Sequence, residues 1–290
     1  MECGGKRYIT HASRSDTFTV WNLSDLHLLN AACAEKELKC DIKRIAEDPY
    51  AFWFGGGDYA DFIGYDDGKR FDPDCVSERL KISDLGQLGK KSVEVVYEWL
   101  SPIKEKCLGL LLGNHEKRYQ CHKQQEDLHG WLCTAMGVQN LRYCAFVDVV
   151  FVRNCGRKPP EIVSAAPGDK HCETFRFFLH HGAGFATTPG GKLNRLIQFM
   201  TSFDADVYMV GHVHDRTAKR LTALGADATC GALRDRGRVG VISGSYLKCY
   251  HEGTTSYGEM RGYTPTSLGA SWVQIAPNAL KAKDRLRAEI

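Results

Sequence analysis

Five short stretches of this chain concentrate side chains that bind cations or move protons. They are Asp25-Leu26-His27, Gly57-Asp58-Tyr59-Ala60-Asp61, Gly113-Asn114-His115-Glu116, His180-His181-Gly182 and Gly211-His212-Val213-His214. Carboxylates, imidazoles and one carboxamide, with no thiolate among them, form a nitrogen–oxygen donor set that suits Mn²⁺, Fe or Zn²⁺. A carboxylate has two oxygens and can bridge two cations, whereas the Asn114 carboxamide oxygen binds only as a neutral ligand. The period-two spacing of His212 and His214 puts both imidazoles on one side of an extended segment. Gly113 and Gly211 would let the backbone turn tightly beneath an ion. Two cations held about 4 Å apart can activate a water and hold phosphoryl oxygens for in-line displacement.

Taken singly, each stretch has an ordinary reading. Asp-x-His is commonly a turn aspartate beside a satisfied histidine, and Gly-Asp after a strand is commonly a turn or a cap. What carries weight is all five occurring in order, each at the end of an apolar run. In the double histidine, His180 follows Phe175–Leu179 directly and His181 precedes a glycine. Direct attachment to the apolar run favours His180, and both stay in the candidate set.

The apolar runs are the elements that must deliver these side chains. Strands are predicted at Phe18–Leu23, Tyr50–Phe54, Cys107–Leu112, Tyr143–Val152, Phe175–Leu179 and Val207–Val210, and later at Thr217–Leu224, Val239–Ile242 and Ser271–Ile275. Helical patterns fall at about 30–47, 76–106, 119–136 and 193–200, and the tail from Ala279 is helix-permissive. Continuous apolar strands separated by helices indicate an α/β core with covered sheets. Ligands in such folds collect outside the carboxyl ends of the strands, where all five motifs sit. No linker or repeat divides the chain, so one domain over 1–290 is expected, with insertions at 64–74, 154–172 and 225–238.

Composition narrows the function classes. Apolar residues at 43% and charged residues at 25% exclude a disordered chain. Lys and Arg total 38 against 35 Asp and Glu, so no strongly basic polymer-binding surface exists at whole-chain level. The apolar run Cys144–Val152 is interrupted by Asp148 and is far short of a membrane span. The N-terminus lacks a signal-peptide profile. Twelve scattered cysteines without a C-x-x-C fit a reduced, cytoplasmic protein with buried thiols.

Other side chains are secondary candidates. Asp61 is placed to orient a ligand or to cap a turn. Lys69, Arg70, Lys117 and Arg118 are either surface cations or phosphate contacts; Arg118, three residues past His115, is the preferred one. Tyr59, Tyr65 and Tyr246 offer rings for stacking or for packing. Arg234, Arg236 and Arg238 alternate in a Gly-flanked hairpin that either contacts a nucleic-acid backbone or is simply exposed.

In this order the motifs resemble the calcineurin-like metallophosphoesterase superfamily, which includes purple acid phosphatases, protein Ser/Thr phosphatases, cyclic-nucleotide phosphodiesterases and recombination-repair nucleases. The resemblance spans Asp25 to His214. Lys69-Arg70-Phe71-Asp72-Pro73 and the stretch from Gly244-Ser245-Tyr246 through Gly262-Tyr263-Thr264-Pro265 resemble members found in phage and prophage genomes. The resemblance implies a four-layer α-β-β-α sandwich of two mixed sheets with a dinuclear site at one rim. It implies that Asp25, His27 and His214 bind one metal and that Asp58 bridges both. Asn114, His212 and one histidine of the His180–His181 pair would then bind the second. His115 would face the substrate, stabilising charge or protonating the leaving oxygen, with Arg118 and Asn114 as substrate contacts.

Two divalent ions are implied as cofactors, Mn²⁺ favoured and Fe or Zn²⁺ open. The implied reaction is hydrolysis of a phosphate ester, with a phosphodiesterase or nuclease-like role favoured. A phosphomonoesterase acting on a protein or small molecule is the alternative, and a non-catalytic metal-binding module contacting nucleic acid or protein is a third reading. The partner is a phosphate ester, nucleic acid being one candidate, and no membrane is implied. Oligomeric state is not legible.

Overall fold

The computed structural model describes residues 1–63, 67, 71–122, 126–154, 158–165, 171–184, 188–226, 231–253 and 255–289. Lys69, Arg70 and Tyr65 lie outside the described residues. So do parts of all three expected insertions.

Among the described residues the apolar runs become two mixed sheets. One has seven strands: β1 (Glu2–His11), β5 (Cys144–Arg153), β6 (Glu161–Val163), β7 (His171–His180), β8 (Val207–Val210), β9 (Thr217–Ala226) and β10 (Leu233–Ile242), in the order β6-β1-β5-β7-β8-β10-β9. The other has five: β2 (Phe18–Leu23), β3 (Ala51–Gly55), β4 (Cys107–Leu110), β11 (Ser271–Ile275) and β12 (Leu286–Glu289), in the order β12-β11-β2-β3-β4. Within them β2, β3 and β4 run parallel, as do β7, β8 and β10. The helices are α1 (Glu35–Glu47), α2 (Leu88–Leu100), α3 (Asn114–His122), α4 (Leu128–Met136), α5 (Pro189–Ser202) and the short α6 (Tyr257–Met260) and α7 (Ala282–Arg285).

Alternation along each strand divides its side chains between two cores. Phe18 and Val20 of β2, Phe52 and Phe54 of β3, Phe175, Phe177 and Leu179 of β7, and Val207 and Met209 of β8 meet between the sheets. Trp21, Leu23 and Trp53 face the other way, against α1, α2 and α4. On α1 the buried Leu38, Ile42 and Ile45 recur at helical spacing and face this layer. Phe178, Tyr208 and Val210 meet Leu196 and Met200 of α5 on the far side. The layer order is therefore α-β-β-α. Among the described residues no helix is long and apolar enough to cross a membrane. Cys33, Cys107 and Cys133 are buried free thiols.

Several element bounds differ from expectation. The helix expected from residue 30 starts at Glu35, because Asn30 is engaged: its Oδ1 accepts Ala32 N at 2.8 Å and its Nδ2 bonds Asp61. The helix expected over 76–106 is helical only in α2, with 3-10 turns at Ile82–Gln87 and at Ser101–Lys106, the latter opened by Pro102. The single helix expected over 119–136 is two, α3 and α4. Strand β1 was not expected, and the tail forms α7 and β12. Of the expected insertions, 154–172 contributes β6 and the start of β7, and 225–238 is part of the β9–β10 hairpin.

One buried side chain gives this fold a pH dependence. His129 of α4 is buried and stacks on Tyr59, ring centroids 6.1 Å apart. Burial pushes its pKa down from 6.5 to about 4. Below pH 6.5 the unfolded chain binds a proton here that the native chain refuses, so stability falls as pH drops from about 6.5 towards 4. The full contribution is about 3 kcal/mol at 1.36 kcal/mol per unit. His129→Phe is expected to flatten this part of the stability–pH curve, as measured by denaturant unfolding. A variant as acid-sensitive as wild type would contradict it.

Candidate metal centre

Each donor motif follows the carboxyl end of a strand. Asp25 and His27 follow β2, Asp58 and Asp61 follow β3, and Asn114 and His115 open α3 after β4. His181 follows β7, while His212 and His214 follow β8. Within each sheet these strands are parallel, so their carboxyl ends share a rim. Main-chain bonds tie the loops together: Asp25 N donates to Gly57 O at 2.9 Å and His27 N to Asp58 O at 3.2 Å. His212 N donates to Asp25 Oδ2 at 2.8 Å and His115 N to Asp58 Oδ1 at 2.9 Å.

The backbone here is strained. Asp25 (φ 57°), His27 (47°), Asp58 (54°), His212 (70°) and His214 (49°) all occupy the left-handed region without being glycine. Such torsions cost of order 1–3 kcal/mol each and cluster at functional sites. Gly113 and Gly211, expected as turn residues, do not have left-handed torsions. Space requires them: a Cβ at 113 would lie 2.1 Å from Asp58 Oδ1, and one at 211 would lie 2.1 Å from Ser24 Oγ.

Among the described residues, three groups of side chains have potential donor atoms within 4.8 Å of one another: Asp25, Asp58, His181 and His212; Asp25, His27 and His214; and His27, Asp61 and His115. Asn114 joins the first, its Oδ1 lying 2.8 Å from His181 Nε2. His181 Nε2 is also 3.4 Å from Asp58 Oδ2, and His214 Nε2 is 3.1 Å from Asp25 Oδ1. The carboxylate common to the first two groups is Asp25, whereas the family resemblance implies Asp58 as the shared one.

Of the double histidine, the structure brings His181 into the cluster and leaves His180 out. Side chains alternate along β7. His180 shares a face with Phe178 and stacks on Phe199 of α5 at 4.8 Å. Its Nδ1 accepts Gly182 N at 2.8 Å. His181 falls on the face of Phe175, Phe177 and Leu179 and points inward. The sequence favours His180, whereas the geometry favours His181, the residue that period-two counting along the strand also selects.

The donor set fits divalent cations. His181 Nδ1 is 2.7 Å from Gly56 O and His27 Nδ1 is 2.5 Å from Asp61 Oδ1, so each ring has an outer partner and presents Nε2 inward. His27 Nε2 is buried and has no hydrogen-bond partner. A buried polar atom without a partner needs an explanation, and an ion supplies one.

The electrostatics of the ion-free chain point the same way. Burial opposes ionisation of Asp25, yet His214 and His181 outweigh it and hold the pKa at about 2. Burial likewise opposes ionisation of Asp58, which His181 and His115 hold well below the carboxylate range. Burial pushes His27 down, but Asp61, with Asp58 and Asp25, raises it to about 9. Asp58 and Asp25 similarly overcome burial and raise His181 to about 10. Protonated imidazoles thus balance the buried carboxylates, and an entering cation would displace those protons.

Sequence reasoning assigned no role to Glu116 and did not single out Ser24. The buried Glu116 carboxylate accepts Tyr59 N at 2.7 Å, Gly113 N at 3.0 Å and Asp58 N at 3.1 Å, stitching the β3 and β4 loops together. Ser24 Oγ donates to Asp25 Oδ2 at 2.5 Å. The signal for Glu116 was its place inside Gly-Asn-His-Glu; Ser24 offered none. Arg118 is exposed and pairs with Asp67 at 3.6 Å, while Lys117 contacts Gln120 at 3.5 Å. Tyr59 and Tyr246 are core residues with no exposed ring for stacking. Arg236 and Arg238 lie in β10 on the side away from the rim, Arg238 pairing with Asp204 at 2.9 Å.

A family model for calcineurin-like phosphoesterases matches residues 18–216. Among solved structures, a conserved uncharacterised protein of Streptococcus pneumoniae, described as a predicted phosphoesterase, is 11% identical. The match covers 90% of this chain and 84% of that one, with a TM-score of 0.30. The NAD nucleotidase of Haemophilus influenzae is 8% identical, with 95% of this chain and 49% of that one covered and a TM-score of 0.41. The chain thus spans about half the length of that nucleotidase. No curated protein matches.

Proposed function

The chain belongs to the calcineurin-like phosphoesterase family, and from that membership we propose a dinuclear, metal-dependent phosphodiesterase of nuclease-like character. The observation that carries the proposal is the convergence of Asp25, His27, Asp58, His181, His212 and His214 at one rim, with Asn114 beside them. Asp25, His27 and His214 would hold one cation, Asn114, His181 and His212 the other, and Asp58 would touch both. When bound, two divalent cations supply Lewis-acid polarisation of the phosphoryl group and activation of the attacking water. Mn²⁺ is the favoured ion.

The protein's own groups do the rest. His115 Nδ1 lies 2.6 Å from Asp61 O and is fixed as the donor there, so Nε2 faces the site. From that position Nε2 meets the substrate, stabilising phosphoryl charge or protonating the leaving oxygen. The side chains of His115 and His214 are 18% and 23% exposed, which leaves a path for a bulky ester. Arg118 would reach a phosphate by exchanging Asp67 for it.

Charge favours a diester over a monoester. Arg118 is paired with Asp67, and Lys192 of α5 with Asp215 at 3.8 Å. These cations are already partly neutralised, which suits a singly charged diester better than a doubly charged monoester. The resemblance of 244–265 to phage-type members supports the same choice. With Mn²⁺ added, bis-nitrophenyl phosphate is expected to be hydrolysed faster than mono-nitrophenyl phosphate. Preference for the monoester would overturn the diester assignment.

A further inference from the structure

The stretch after β10 lies outside the segment matched by the family model, yet it touches a ligand loop directly. Two groups donate to the main-chain carbonyl of Asp25: Ser245 Oγ at 3.1 Å and Tyr246 N at 2.9 Å. Both residues are wholly buried. The Tyr246 hydroxyl donates in turn to Asp41 Oδ2 on α1 at 2.7 Å, and the same oxygen accepts Ala270 N at 3.2 Å. Ser245 Oγ also accepts Leu247 N at 2.9 Å, and Ser245 O accepts Gly269 N at 3.2 Å. Residues 245–247 are thus clamped between helix α1 and the Asp25 loop.

Asp25 needs such a clamp. Its left-handed torsion is unfavourable, and without outside bonds the loop would relax towards ordinary torsions and turn the carboxylate away. We infer that Ser245 and Tyr246, the latter anchored by Asp41, are positioning residues that hold Asp25 in its cation-binding conformation. This rests on the metal-centre reading above. If only a fraction of the protein has Asp25 so held, apparent affinity falls by that fraction. Outer partners of metal ligands are typically worth about 10–100-fold in affinity.

The test is calorimetric titration of Mn²⁺ into the metal-depleted full-length protein. Tyr246→Phe and Ser245→Ala are each expected to weaken one of two sites about 10-fold. Asp41→Asn keeps an acceptor for the hydroxyl and should bind as wild type, whereas Asp41→Leu should behave like Tyr246→Phe. Ile45→Val trims the same core without touching the clamp, so it should be less stable with unchanged affinity. Unchanged affinity in both Tyr246→Phe and Ser245→Ala would overturn the inference and leave the metal centre standing. Equal weakening in Ile45→Val would do the same. If Tyr246→Phe does not fold, Ser245→Ala reads the same clamp from its other arm. A wild-type protein that binds no Mn²⁺ removes the metal centre and the inference together.

Discussion

Asp58→Asn is expected to lower kcat by at least about 10³-fold and to leave the protein with neither cation firmly bound. The substitution is nearly isosteric and keeps an oxygen for the His115 N–H bond, so the effect comes from charge. A shared carboxylate supplies several kcal/mol of cation and transition-state stabilisation, and each 1.36 kcal/mol is tenfold in rate. Metal content by elemental analysis, beside kcat at saturating Mn²⁺, reads both effects. The companion variant is Asp25→Asn, because Asp25 is the carboxylate common to two donor groups in the ion-free chain. If Asp25→Asn loses both cations and Asp58→Asn keeps one, the bridge belongs to Asp25. Full occupancy in Asp58→Asn would remove it from the centre altogether.

His115→Ala should behave differently. A positioned proton donor contributes about 10²–10⁴-fold, so turnover of a poor leaving group should fall by that factor with metal content near wild type. Nitrophenolate leaves readily without a proton, and its esters should lose much less. That contrast separates proton donation from simple charge stabilisation, which would slow both substrates alike. Loss of a cation in this variant would instead place His115 among the ligands, in the group it forms with His27 and Asp61.

The donor loops were legible because each follows a short, mostly apolar run, and such runs have few alternatives inside an α/β fold. Strand β1 was not legible. Its sequence Glu2-Cys3-Gly4-Gly5-Lys6-Arg7 has neither alternation nor apolar continuity, and its register with β5 shifts between Cys3 and Lys6. Long-range pairing makes it a strand. The 76–106 segment carries a helical pattern, but only its middle is α-helix. Local breaks won instead, with Gly86 inside one 3-10 turn and Pro102 opening the next.

Within the site, residue types were legible and orientations were less so. The choice between His180 and His181 turned on parity along β7, which the sequence contains but adjacency to the apolar run obscured. The clamp by Ser245 and Tyr246 joins segments more than 200 positions apart, and no local pattern announces it. The left-handed torsions were hidden for a related reason. Positive φ is uncommon for any residue other than glycine, so nothing at His27, His212 or His214 advertises it until the surrounding loops impose it.

Those five torsions set a hazard for anyone engineering a sturdier form of this polypeptide. Glycine would relax the chain at 25, 27, 58, 212 or 214, but at 25 and 58 it would also strip a counter-charge from the protonated imidazoles beside them while deleting a donor. Backbone relief and loss of charge balance thus pull stability in opposite directions at these positions, so hydrolysis has to be assayed beside melting temperature in every round.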